Sequence, residues 1–136
     1  MYTNIIVPVV FDHGERSAQS LKVAQQLLEE GGKITLLHVM EEVPSYATTY
    51  LPEGLKEQHE KDAVEGLNEM AKGLTADCAF AVVHGHAYTS ILQYSKTHEA
   101  DCIVIASHKP GFEDYFLGST AARVVRHAKC GVHILR

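Results

Sequence analysis

The sequence predicts an α/β fold: a three-layer sandwich in which a five-stranded parallel sheet lies between two layers of helices. Five short apolar runs rich in branched residues have the composition of strands covered on both faces. Amphipathic stretches alternate with these runs, and such alternation produces parallel strands joined by right-handed crossovers. With 136 residues, of which 46% are hydrophobic, the chain is sized for one domain, residues 1–136.

The first strand is predicted in the apolar run at residues 5–11. Pro8 lacks an amide donor, so we expect it near the end of the strand, where the chain leaves the sheet. Leucines and an alanine then recur on one stripe between residues 17 and 30, which predicts the first helix. Gly31 and Gly32 are expected to end that helix.

Residues 33–40 form the second β-type run, and two prolines in residues 41–52 predict a connecting loop. A long, partly exposed helix is predicted over residues 53–73. Gly66 is a weak point inside that helix, because glycine is a poor helix former. The third strand is predicted at residues 77–83.

The next helix is expected to take Thr89 or Ser90 as its N-cap and to end around His98. Both hydroxyl residues are good caps, because their side-chain oxygens accept hydrogen bonds from the first free amides. A continuous apolar run then predicts the fourth strand at residues 102–106.

The last helix is predicted over residues 119–128, with Ala122, Val124 and Val125 facing the core. A fifth apolar run follows at residues 131–135 and completes the sheet. The order of elements is therefore strand and helix in alternation to the end of the chain.

Charge and hydropathy argue against several classes of partner. The formal net charge of -5 and the pI near 6.0 give no diffuse positive field, so nucleic acid and anionic membranes would be repelled. The N-terminus lacks a basic region followed by a long apolar segment, and no apolar run approaches about twenty residues. We therefore expect a cytoplasmic protein with neither a nucleic-acid nor a membrane partner.

The three cysteines, Cys78, Cys102 and Cys130, are odd in number and widely spaced among apolar residues. Reduced core thiols explain this pattern better than a disulfide framework does. We therefore expect three free thiols.

Nine histidines raise the question of a metal site, chiefly at His84-Gly85-His86 with His59 or His98. The spacing of the pair is a weak signal, because structural sites need three or four ligands. No cysteine pair or helical histidine motif supports it, so no metal site is predicted.

The fold class itself locates a candidate site. In open parallel sheets, ligands lie beyond the carboxyl ends of the strands, where the strand order reverses. The loops after the first, second and fourth strands leave the same edge of the sheet. We therefore expect residues 8–12, 39–41 and 107–119 to face one crevice.

Leu117-Gly118-Ser119-Thr120 opens the last predicted helix. The unpaired amides of a first helical turn carry partial positive charge and stabilise a bound anion by about 0.3 to 2 kcal/mol. The same residues also suit an ordinary turn with an N-cap. The pattern alone leaves both interpretations open.

Four stretches together resemble the universal stress protein family, and the resemblance covers the whole chain. They are Ile6-Val7-Pro8, residues 36–39, residues 100–108, and the stretch from Leu117-Gly118-Ser119 to Arg136. The resemblance implies a five-stranded, flavodoxin-like sheet of the adenine nucleotide alpha hydrolase-like type. It also implies a homodimer, in which the strand between Gly131 and Arg136 pairs with its symmetry mate.

The sequence departs from the pattern of the members of this family that bind ATP. Those members carry Gly-x-x-Gly, nine residues and Gly-Ser, and they have an aspartate two positions after the proline of the first strand. Here Val10 stands at the aspartate position, and Ala106 and Lys109 stand where the two glycines would be. The stretch from Ser107 to Pro110 is similar to a short-loop branch that reads Ser-His-Lys-Pro or Ser-His-Arg-Pro before Leu-Gly-Ser.

The resemblance implies binding of ATP or AMP in the stress response. The base would lie beside Pro8 and Val9 and contact the main chain of Val39, while the phosphates would lie at the start of the last helix. Asp12 is a candidate to replace the missing carboxylate. The full set of expected nucleotide-binding residues is Pro8, Val9, Val10, Asp12, Val39, Ala106, Ser107, His108, Lys109, Gly118, Ser119 and Thr120.

Two other functions remain open on the sequence. Val10 and the shortened loop favour a nucleotide-free dimer that acts as an interaction module. Slow ATP hydrolysis would need a carboxylate for magnesium, for which Asp12 and Glu41 are the nearby candidates. Ser107, His108 and Asp114 are close in sequence, but no nucleophile elbow frames them, so no catalytic set is predicted.

Overall fold

A computed structural model describes residues 1–11, 14–41, 52–74, 76–107 and 118–136. Within these ranges, five strands and four helices alternate along the chain. The strands are β1 (Tyr2–Pro8), β2 (Leu28–Met40), β3 (Asp77–His84), β4 (Cys102–Ala106) and β5 (Gly131–Leu135). The helices are α1 (Gly14–Leu27), α2 (Leu55–Lys72), α3 (Ala87–Thr97) and α4 (Ser119–His127). No helix in the described part of the chain has the length and apolarity that crossing a membrane requires.

All neighbouring strands are parallel, and their order across the sheet is β3-β2-β1-β4-β5. The predicted fold class is therefore confirmed. The chain first moves outward from β1 to β2 and β3, and then returns to the other side of β1 for β4 and β5. This reversal defines a switch point between β1 and β4.

Two apolar clusters fill the space on the two faces of the sheet. Leu21 of α1 and Leu67 of α2 pack on one face, and Ile91 of α3 and Val124 of α4 pack on the other. Successive residues of β1 alternate between the clusters, and Ile5, Ile6 and Val7 are fully buried. Complete burial of side chains of this size stabilises the fold by about 1.5 to 3 kcal/mol each.

The first strand lies three residues earlier than predicted. It ends at Pro8, as the missing amide donor of proline required, and Val9 makes one last bond by donating its N–H to the Leu37 carbonyl at 2.8 Å. The apolar residues that follow turn out of the sheet, and Val10 is 51% exposed. Hydrophobic composition alone could not show that these apolar residues lie outside the strand.

The first helix ends at Leu27 rather than Glu30, because the chain already joins the sheet at Leu28 beside Tyr2. The register between β1 and β2 shifts immediately afterwards, and Gly31 adopts a φ of 82° within that irregular stretch. The two glycines therefore lie in β2 instead of ending the helix.

Two further expectations about helices were wrong. The third helix begins at Ala87 with His86 as its N-cap, because Gly85, at a φ of 139°, turns the chain directly after β3. In α4 the buried residues are Ala121 and Val124, whereas Val125 is 44% exposed. The prediction was right for Val124, but Ala121 is buried instead of Val125, and Ala122 is only partly buried. The predicted loop at residues 41–52 lies almost entirely outside the described residues.

The cysteines are free thiols, as expected. Burial raises the pKa of the Cys102 thiol to about 11, and it also raises the pKa values of Cys78 and Cys130. These thiols are protonated at neutral pH and pack as small apolar groups.

Asp101, at the start of β4, ties this strand to the start of β1. Its carboxylate accepts hydrogen bonds from the Thr3 amide at 2.8 Å, the Thr3 hydroxyl at 2.9 Å and the Asn4 amide at 3.0 Å. Partial burial by itself raises the pKa of Asp101, but these hydrogen bonds favour the charged form more strongly. The pKa of the carboxyl group therefore lies below its ordinary value.

A mid-helix glycine allows close packing between α2 and the turn after β1. A Cβ atom added to Gly66 would lie 2.4 Å from Cε1 of Phe11. The Phe11 ring also meets the His38 ring edge-on, with 4.9 Å between the centroids. The glycine that weakened the helix prediction is thus the residue that admits the aromatic ring.

We predict that Asp101→Asn lowers the free energy of unfolding by about 1 kcal/mol at neutral pH, because the neutral amide cannot accept all three hydrogen bonds as well. The depressed pKa stabilises the fold above the unfolded-state pKa of about 3.9, and this stabilisation is lost as the pH falls through the folded-state pKa. Urea unfolding of both proteins from pH 7 to pH 3 should show the difference shrinking in acid. A difference that is as large at pH 3 as at pH 7 would contradict a charged acceptor.

We also predict that Gly66→Ala destabilises the protein by about 1 to 3 kcal/mol through overpacking against Phe11. In an open helix the same change would stabilise by about 1 kcal/mol. Gly73→Ala is the matched control, since its added methyl group would meet only a backbone oxygen at 3.8 Å. In a Phe11→Leu background, Gly66→Ala should no longer destabilise in urea unfolding. An equal loss in both backgrounds would show that the ring is not the obstacle.

Candidate functional site

A crevice opens where β1 and β4 part, at the carboxyl ends of the strands. Their paired residues stop at Ile6 with Ile103, whereas β1 continues beside β2 as far as Pro8. Because α1 packs on one face of the sheet and α4 on the other, neither helix fills the gap. The resulting cavity has a volume of about 190 Å³. One water molecule needs only about 10 to 15 Å³.

The structure brings eight of the twelve predicted site residues to this crevice. Ser107 is not one of them: it is buried, and its amide donates to the Leu135 carbonyl at 2.6 Å. Asp12, His108 and Lys109 lie outside the described residues. The eight that line the cavity are Pro8, Val9, Val10, Val39, Ala106, Gly118, Ser119 and Thr120.

Sequence reasoning missed six residues that also line the crevice. Most are apolar and come from strand interiors or from the first turns of helices. The signal available for them was position alone, since first turns after parallel strands lie at the same edge of the sheet. The six are Ser17, Leu37, Ala87, Ile91, Ile105 and Ala121.

Ser17 is the buried polar side chain among the missed residues, with 5% of its surface exposed. Its hydroxyl lies 3.3 Å from the Val10 amide, which donates to it, and 3.4 Å from the Val10 carbonyl, to which it donates. Ser17 therefore holds the turn after β1 against the first part of α1.

Main-chain groups of Val39 form a polar edge in the crevice. The Leu37 carbonyl accepts from Val9, and the Met40 carbonyl accepts from Gly85 on the opposite side. Because alternate residues of a strand direct their N–H and C=O to the same side, those of Val39 point toward β1. They lie beyond the last paired residue of β1, which is Pro8 opposite Leu37.

The position of Val9 is fixed by a second contact. The His38 ring lies beside it, and Nδ1 donates to the Val9 carbonyl at 2.8 Å. This bond requires the proton to be on Nδ1. The main chain between β1 and α1 is thereby held from both Leu37 and His38.

The opposite wall of the crevice is the N-terminus of α4. Gly118 is the N-cap, with φ of -54° and ψ of 150°, and the first helical bond runs from the Ala122 amide to the Gly118 carbonyl at 2.9 Å. The amides of Ser119, Thr120 and Ala121 precede this bond and have no partner within the helix. They carry the partial positive charge of the helix terminus.

The first turn of α3 borders the same cavity. Ala87 lines it, and the first bond of that helix runs from the Ser90 amide to the His86 carbonyl at 2.9 Å. Two helix N-termini therefore meet at the crevice. None of the described lining residues carries an ionisable side chain, so the positive potential from these lining residues comes from backbone dipoles.

The histidines considered for a metal are not among the described residues that line the crevice. Nε2 of His84 is 3.5 Å from a carboxylate oxygen of Glu60 on α2. Over the residues that the structure describes, no three potential ligands come together in a way that could hold a metal ion.

Solved structures share this architecture. Hypothetical protein MJ0577 superposes with a TM-score of 0.83 at 22% identity, covering 99% of this chain and 96% of that one. Universal stress protein UspA from Lactobacillus plantarum superposes with a TM-score of 0.77 at 26% identity, over 99% and 98% of the two chains. The fold is thus that of universal stress proteins.

Two other similar structures contain nucleotides. One is a universal stress protein in complex with cAMP, with a TM-score of 0.67 at 22% identity over 99% of this chain and 97% of that one. The other is the universal stress protein from Archaeoglobus fulgidus in complex with dAMP, with a TM-score of 0.64 at 17% identity over 99% and 98%. At these identities the similarity concerns the fold.

Sequence comparison extends the likeness to the whole chain. Universal stress protein G from Escherichia coli O157:H7 is 30% identical over 142 aligned positions, which cover 100% of both chains. The profile of the Universal stress protein family matches residues 1–136. The chain therefore belongs to the universal stress protein family.

Proposed function

We propose that this protein binds an adenine nucleotide, ATP or AMP, and acts through it as a cytoplasmic stress-response regulator, with residues 1–136 as one domain. The observation that carries the proposal is the crevice at the switch point. It combines the edge of β2 beyond Pro8 with the first amides of α4, which lack partners within the sheet and the helix that the structure describes. We also place the chain in the short-loop branch of the family, which reads Ser-His-Lys-Pro from Ser107.

The strand edge suits the base. The N–H and C=O of Val39 present one donor and one acceptor side by side, and the Watson–Crick edge of adenine offers an acceptor next to a donor. Pro8, Val9 and Leu37 supply apolar surface around that edge. Pockets for small ligands commonly pair apolar walls with a few fixed polar groups of this kind.

The helix terminus suits the phosphates. The amides of Ser119, Thr120 and Ala121 precede the first bond of α4, and the helix dipole adds to their partial charge. Backbone amides at a helix start are an established kind of phosphate site. The known complexes of two structural neighbours with cAMP and dAMP support an adenine nucleotide as the ligand.

We further propose that the protein forms a homodimer through the segment from Gly131 to Arg136. β5 is an edge strand of the sheet, so among the described residues of the single chain one side of it lacks a neighbouring strand. Val132 and Ile134 are only partly buried there. Pairing with a second copy would satisfy the free backbone groups of that edge.

A nucleotide-free interaction module is the second candidate function, and Val10 is the observation that favours it. Its side chain lines the crevice and cannot accept a hydrogen bond from a ribose hydroxyl. In this alternative the dimer surface carries the function.

Titration calorimetry of nucleotide-stripped protein separates the two candidate functions. Micromolar binding of ATP or AMP supports the nucleotide-binding regulator, and no binding up to millimolar concentration supports the nucleotide-free interaction module.

We predict that Ser119→Pro weakens ATP binding about tenfold in calorimetry, because it removes one amide donor from the phosphate wall. Proline is tolerated at the first position of a helix, and the ψ of 150° at Gly118 suits a residue that precedes proline. The fold should therefore persist, which circular dichroism and thermal unfolding would check.

Ser119→Ala is the matched control, because it removes the hydroxyl group and keeps the amide. We expect its affinity for ATP to stay within about threefold of the original. If both variants bind ATP as tightly as the unmodified protein, the start of α4 is not the phosphate site.

We predict that Val10→Asp tightens ATP binding about tenfold, because a carboxylate at this position can accept a hydrogen bond from the ribose. The change should be compatible with the fold, since half of the Val10 surface is already exposed. Val10→Leu keeps the position apolar and should leave the affinity unchanged. Equal dissociation constants for all three proteins would show that position 10 does not contribute to nucleotide recognition.

A further inference from the structure

An arginine of α4, Arg123, lies over the aromatic ring of Tyr88 of α3, beside the crevice. The guanidinium carbon of Arg123 lies 4.9 Å from the centroid of the Tyr88 ring. Stacking on an aromatic face fixes an arginine side chain while leaving the N–H groups at the edge of its plane free to donate. Arg123 is otherwise exposed.

Both side chains belong to the helix ends that border the crevice. Arg123 follows Ser119 by one helical turn, and Tyr88 directly follows Ala87, which lines the cavity. Side chains of helices lean toward the N-terminus and cover the turn before their own Cα. Arg123 and Tyr88 therefore lean toward the mouth of the crevice.

The charge of Arg123 is available for a ligand. In the described part of the chain, no ion pair involves its guanidinium, and the contact that it makes is with the neutral ring of Tyr88. The start of α4 offers a partial charge of roughly +0.5 from the helix dipole, which is less than the charge of one phosphate group. A di- or triphosphate brings further negative charge, and the described residues that line the cavity are all neutral and do not balance it.

We infer that Arg123, held against Tyr88, is a specificity-determining residue that favours adenine nucleotides with two or more phosphates over the monophosphate. This inference rests on the proposed function. Arg123 donates to the outer phosphates, while the amides of Ser119 and Thr120 hold the inner one. Tyr88 is a positioning residue, because it keeps the guanidinium beside the crevice.

The test is a titration of ATP and AMP, without magnesium so that no metal screens the phosphate charge, against the unmodified protein and Arg123→Gln. We expect Arg123→Gln to lower the affinity for ATP about tenfold, as for the loss of one charge-assisted hydrogen bond at an exposed site. Its affinity for AMP should change by less than about twofold. The readout is the ratio of the dissociation constants for ATP and AMP, because a general loss of structure would weaken the binding of both ligands.

Arg126→Gln is the matched control. It removes the same charge from the same helix at an exposed position closer to the C-terminal end, so both ligands should bind as before. Tyr88→Phe keeps the aromatic ring and should retain the preference for ATP, whereas Tyr88→Leu should lose part of it.

Each outcome of this experiment is decisive. A selective loss of ATP affinity in Arg123→Gln, absent in Arg126→Gln, supports the inference. An equal loss for ATP and AMP, no loss, or the same loss in Arg126→Gln overturns it while leaving nucleotide binding intact. If the unmodified protein binds neither nucleotide, the proposed function and the inference that rests on it both fail.

Discussion

The pairing of β1 with β2 on one side and β4 on the other is the constraint on which the rest of the molecule depends. The chain first adds β2 and β3 on one side of β1 and later adds β4 and β5 on the other side. The helices that follow β1 and β4 therefore pack on opposite faces of the sheet. The strands also part after Ile6 and Ile103. A gap is therefore built into the topology, and its position requires no special side chain.

The wall of that gap is held by contacts with more distant elements. Phe11 occupies the space above Gly66 of α2 and meets the ring of His38, which in turn donates to the Val9 carbonyl. Ser17 holds the next peptide from α1. The segment from Val9 to Phe11 is consequently held by two helices and by β2.

The chemistry of the crevice comes mainly from the backbone. Val39 contributes a strand edge, and Ser119 to Ala121 contribute the free amides of a helix start. These groups belong to the backbone, so they do not depend on the apolar side chains of Val10 and Ala106, which also line the cavity. In the proposed nucleotide complex, recognition of charge beyond the first phosphate would require side chains outside the cavity, such as Arg123 over Tyr88.

The sequence by itself determined the fold class, because the apolar runs and their alternation with amphipathic stretches reflect local composition. It also located β4 and β5 at the observed bounds, and it brought Pro8, Val39 and Gly118 to one edge through the topology rule. Three features were decided only by the tertiary structure. They are the end of β1, the change from α1 to β2 at Leu28, and the face of α4 that is buried. These features depend on partners far away in the chain, whose contacts override local propensity. The same holds for Gly66, which weakens its helix locally but is required by the ring that packs against it.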